Sequence, residues 1–64
     1  MEKDIIGRRY VATDAPSTVW VVSYAVEKGM KVPHALLLKA GEHNTTKLIA
    51  VNALTDQRLY RPTD

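Results

Sequence analysis

The run Thr18–Lys28, TVWVVSYAVEK, narrows the choice of fold more than any other part of the chain. Val, Thr, Trp and Tyr lose side-chain freedom against the preceding turn of a helix, and they pack well on a pleated surface. The run is read as one long strand, bent near Ser23. A strand must hydrogen-bond to neighbours, so the rest of the chain has to supply a sheet. Arg8–Ala12 (RRYVA) is a short β-prone run. Thr13–Ser17 (TDAPS) is a turn, because Asp14 can bond its own downstream backbone and Pro16 fixes φ. Gly29 supplies the positive φ that a hairpin loop needs.

Val32–Ala40 (VPHALLLKA) admits a helical reading through Ala and Leu. Its shortness, its place after a hairpin signal and Pro33 at a first strand position favour a strand. Gly41–Asn44 is a turn and Thr45–Val51 a fourth strand. Asn52–Asp56 lasts barely one turn and is read as a single 3₁₀ turn. Arg58–Arg61 is a last short strand, stopped by Pro62.

A chain of 64 residues makes one domain, 1–64, and a thinly stabilised one. Its 45% hydrophobic and 25% charged content is globular rather than disordered. With no cysteine there are no disulfides, and His34 and His43 lack metal-ligand spacing, so neither metal nor cofactor is expected. His34 is expected at the surface and His43 in a solvated turn. No apolar run approaches the ~18 residues of a membrane span. Met1-Glu2-Lys3-Asp4 lacks the basic flank and apolar stretch of a signal peptide, so the expected location is cytoplasmic, without membrane attachment.

Five short strands with a 3₁₀ turn before the fifth resemble the Src-homology-3-like small β-barrel. The resemblance implies an all-β barrel in which VNALTD (Val51–Asp56) is the corner carrying the chain across to close against the first strand. Signalling members of that class bind Pro-rich peptides through an acidic loop and an aromatic groove. The first loop here holds only Asp14 and no aromatic cluster matches, so that activity is not carried over. VNAL also resembles a corner of the plasmid-borne, trimethoprim-resistant dihydrofolate reductases, tiny barrels that form a pore as tetramers. Their pore is lined by Val-Gln-Ile-Tyr. Leu48-Ile49-Ala50-Val51 stands at that place with neither amide nor hydroxyl, and the departure argues against the enzyme.

Alternate residues of a strand point to opposite faces. Trp20, Val22, Tyr24 and Val26 are expected inside, at least in part. Ala35 and Leu37 oppose His34, Leu36 and Leu38, while Ile49 and Val51 oppose Leu48 and Ala50. Leu54 is expected to plug one end, helped by Tyr10 or Val11 and by Leu59 or Tyr60. A barrel this small cannot house every apolar residue. Val19, Val21, Leu36, Leu38 and Leu48 are left over, and such a surplus on one outer patch marks a contact surface. A strand bulge or a helical third segment would bury them instead.

Catalysis has little to stand on: Ser17 and Ser23 have no triad spacing and no glycine-rich phosphate loop occurs. Arg8, Arg9, Arg58 and Arg61 lie on the first and last strands, which a closed barrel makes neighbours. They form a candidate nucleic-acid contact, or else edge charges paired with Asp4, Asp56 and Asp64. Trp20 and Tyr24, two apart, are either core or the start of a cage for a cation. The expected function is a non-catalytic interaction module. It self-associates as a homo-oligomer or binds a protein partner through the apolar face, with nucleic-acid binding as the alternative.

Overall fold

A computed structural model describes residues 5–42 and 44–63. They form β1 (Arg9–Ala12), β2 (Ala15–Val26), β3 (His34–Lys39), β4 (Thr46–Ala50), one helical turn α1 (Val51–Leu54) and β5 (Tyr60–Pro62). The five strands make one antiparallel sheet in the order β4-β3-β2-β1-β5. β2 is long because it serves two neighbours: its first half pairs with β1, while Trp20 onward pairs with β3. The segment with a possible helical reading is β3, hydrogen-bonded between β2 and β4. Gly29, at φ +81°, makes the β2–β3 turn, closed by Met30 N–H donating to Glu27 C=O at 3.1 Å.

Ala15–Ser17, read as part of a turn, opens β2, and the last strand runs Tyr60–Pro62 rather than Arg58–Arg61, with Pro62 inside it. Two further expectations need correcting. Register passes from Val22↔Leu37 to Tyr24↔Leu36, so Ser23 is an extra residue, a β-bulge. Past the bulge the side-chain alternation reverses. Trp20 and Val22 keep the inner face, but Ala25 takes the inner place next, and Tyr24 and Val26 turn outward. Second, the turn before β5 is α rather than 3₁₀. Thr55 N–H reaches Val51 C=O at 2.9 Å, four residues back, and Thr55 Oγ1 donates to the same oxygen at 3.0 Å. The hydroxyl takes the second lone pair of a carbonyl that already accepts the helical N–H, so Thr55 holds the turn twice over.

β4 and β5 are the two edges and do not pair with each other, so backbone hydrogen bonds leave the sheet open rather than closed into a cylinder. Tyr10, Ala12, Val22, Ala35, Leu37, Leu54 and Tyr60 form the core, with Ile5, Trp20, Ile49 and Val51 packed against it. Of the alternatives for closing the end, Tyr10 and Tyr60 are inside, while Val11 is half-buried and Leu59 exposed. Among the described residues no helix is long and apolar enough to cross a membrane.

Candidate functional site

Strand register settles which side chains share the outward face. Across β4, β3 and β2, Leu48, Leu36 and Tyr24 stand in one row. Thr46, Leu38 and Val21 form the next, continued by Arg9 on β1. Val19 and Val11 follow, with Arg61 on β5 beyond them. On the other side, Ala50, His34 and Val26 complete the surface. Val19, Val21, Leu36, Leu38 and Leu48 are therefore on one face, opposite the buried Val22, Ala35 and Leu37. Leu48 is 48% exposed and Tyr24 50% exposed, while the other four are half-buried by their neighbours. None of the outward residues in these rows is acidic. His34 Nδ1 lies 2.9 Å from Val32 C=O, so the proton sits on Nδ1 and is donated locally. His43 lies outside the described residues.

The four arginines are not gathered on one face. Arg9 and Arg61 share the outward face diagonally across β1 and β5. Arg8 precedes β1 with the opposite parity. Arg58 is taken up by Asp56 in a forked pair: Nε donates to Oδ1 at 3.1 Å and an Nη to Oδ2 at 2.9 Å. The Arg58 backbone N–H adds a third bond to Oδ1 at 3.0 Å. Its other suggested acidic neighbours, Asp4 and Asp64, lie outside the described residues.

Side-chain and then backbone bonds from Arg58 hold the Asp56 carboxyl below its usual range, and Asp56 raises Arg58 in turn. A depressed carboxylate stabilises the fold above its unfolded titration range, and that contribution fades as pH falls through the lower folded value. Asp56→Asn should therefore lower the thermal midpoint at neutral pH. The gap to wild type should close on acidification below about pH 4, where the unfolded carboxyl protonates. Melts across pH 7 to 2.5 check this, and a constant gap would contradict it.

The inner face also carries a lysine, which its residue type alone would place in solvent. Lys47 stands opposite the fully buried Leu37, on the same parity as Ile49. Its Nζ donates to Tyr60 Oη at 2.7 Å and sits 4.7 Å from the Trp20 ring centroid and 5.2 Å from that of Tyr60. Tyr24 is on the other face, so Trp20 pairs with Tyr60 rather than Tyr24, and the cation between them is the chain's own. Counting Lys47 with Ile49 and Val51 on one parity was the available signal. Beside it opens a shallow cleft of about 360 Å³ lined by Ala12, Thr13, Asp14, Lys47, Leu59 and Tyr60. Among the described residues no three His, Cys, Asp or Glu gather as for a metal.

No protein-family model matches the sequence, and no curated protein or solved structure is significantly similar to it.

Proposed function

We propose that this chain is a non-catalytic interaction module that contacts protein, first of all further copies of itself, through the outward face of β2, β3 and β4. One observation carries the reading: Leu48, Leu36 and Tyr24, with Leu38, Val21 and Val19 beside them, make a continuous apolar area with no acidic residue in it. Apolar side chains gathered on one face gain by being covered, at about 25 cal/mol per Å² removed from water. A chain of 64 residues has little core of its own, and association adds to its stability by mass action.

The same observations favour a Src-homology-3-like arrangement as the finer description of the fold. A bulge in the shared β2 lets one sheet curl into two layers, and one helical turn leads into β5. The Lys47–Tyr60 bond then bridges the seam between β4 and β5.

Light scattering over a dilution series tests the function. Wild type should show a mass that falls on dilution. Leu48→Lys, outward on the β4 edge and already exposed, should stay monomeric while keeping its fold. A monomer at every concentration, unchanged by Leu48→Lys, would contradict the reading.

A second reading has one observation in its favour: Arg9 and Arg61 share the outward face with no carboxylate among the neighbours that strand register gives them. A nucleic-acid backbone would dock there with salt-sensitive affinity. Titration with labelled single- and double-stranded oligonucleotides at low salt separates this reading from the first; absence of salt-sensitive binding ends it.

A further inference from the structure

We propose that a second copy of the chain joins edge to edge, β4 against β4, about a two-fold axis at Leu48, which sets the two outward apolar faces side by side as one doubled surface. The proposal rests on the self-association reading above and fixes where association happens.

The phase of the β3–β4 ladder carries it. Lys39 N–H donates to Thr45 C=O and Val51 N–H to Pro33 C=O, each at 3.0 Å. Antiparallel pairs alternate between those that exchange backbone bonds and those that do not. Ala35↔Ile49 and Leu37↔Lys47 therefore exchange bonds, while Leu38↔Thr46, Leu36↔Leu48 and His34↔Ala50 do not. Thr46, Leu48 and Ala50 thus turn their N–H groups, and Thr46 and Leu48 their C=O groups, to the side of β4 that no strand lines among the described residues. An antiparallel edge of this kind is complementary to itself, and a two-fold axis uses it symmetrically.

Leu48 is the middle residue of β4. An axis there pairs Leu48 with its own copy through two reciprocal bonds and sets Thr46 against Ala50 of the other chain. It also joins the two outward rows, so that Tyr24, Leu36 and Leu48 of one copy continue into Leu48, Leu36 and Tyr24 of the next. Lys47 falls opposite Ile49 of the second copy. An axis at Lys47 would instead oppose two lysines, which like charge disfavours. An inward-pointing charge on an edge strand usually discourages such pairing. Here the ammonium is already bound to Tyr60 and Trp20 within its own chain. The other edge is a poor template: β5 has three residues, and Pro62 has no N–H to give.

The test uses the full chain. Since it has no cysteine, Leu48→Cys carries a single thiol. A hydrogen-bonded antiparallel pair holds its Cα atoms about 5.5 Å apart, within disulfide reach. With oxidised glutathione as oxidant, Leu48→Cys should form a covalent dimer at least ten-fold faster than Leu36→Cys on β3 or Ser17→Cys at the far end of β2. In the unsubstituted protein, amide exchange at Thr46, Leu48 and Ala50 should slow as concentration rises, while Lys47 and Ile49 stay protected throughout. Faster linkage of Leu36→Cys would overturn the edge geometry and leave face-to-face association standing. So would a dimer by light scattering whose Thr46, Leu48 and Ala50 amides exchange at a concentration-independent rate. A chain that stays monomeric, with no concentration dependence at all, would overturn this proposal together with the reading it rests on.

Discussion

Leu54→Ala should destabilise the protein by about 2–5 kcal/mol, the range for truncating a buried leucine that leaves a cavity behind. Leu54 is 0% exposed and is the buried residue of α1, the one-turn corner between β4 and β5. So short a helix has no stability of its own and holds its place through the side chain it buries. Domains are stable by roughly 0.05–0.15 kcal/mol per residue, or about 3–10 kcal/mol for a chain of this length. The substitution therefore removes a large share of the total, and at the upper end the chain unfolds at room temperature. Urea unfolding followed by circular dichroism reads the effect. A loss below about 1 kcal/mol would mean that the corner is held some other way.

Lys47→Met should have the second-largest effect, about 1–2 kcal/mol, with the aliphatic stem largely preserved. What is lost is a hydrogen bond from a charged donor, typically worth about 1.5–3 kcal/mol, and an ammonium over two rings, about 0.5–2 kcal/mol. Relief from holding a charge against the core offsets part of that loss. Lys47 and Tyr60 lie on strands that exchange no backbone bonds, so their 2.7 Å contact ties the two edges together. A double-mutant cycle with Tyr60→Phe isolates the pair, and a coupling of about 1 kcal/mol is expected. Additive losses would show that the contact contributes nothing of its own.

Local residue chemistry made most of this sheet legible. The β-branched and aromatic content of Thr18–Lys28 marked β2, and Pro33 after a glycine turn marked the start of β3. The parity of Ala35 and Leu37 separated the core from Leu36 and Leu38, since β3 pairs regularly on both sides. Leu54 was readable as the plug because it is the one large apolar residue in the corner. Ser23 was harder to place. The sequence hinted at a bend, but a bulge is defined against its partner strand, and one extra residue moved Tyr24 and Val26 from the expected inner face to the outer one. That shift enlarged the outward apolar area instead of burying it.

Lys47 escaped notice for a related reason: a lysine is read as solvent-facing until its neighbours are known. Trp20 and Tyr60, forty residues apart in sequence, are what make an inward lysine tolerable. The grouping of the four arginines was only half visible. β1–β5 pairing follows from the topology and brings Arg9 and Arg61 onto one face, but the capture of Arg58 by Asp56 depends on the shape of the turn that precedes β5.

The proposed contact runs along the apolar outward face and the β4 edge beside it, and its first occupant is the chain's own copy. Backbone and methyl chemical shifts recorded from the lowest to the highest attainable concentration test this residue by residue. Progressive shifts are expected at Leu48, Leu36 and Tyr24 and at Leu38, Val21 and Val19 beside them, largest at Leu48 and smaller with distance from the β4 edge, with the inward Val22, Ala35 and Leu37 unmoved. Spectra that superimpose at every concentration, or shifts confined to the inner cleft around Thr13, Asp14 and Tyr60, would contradict it.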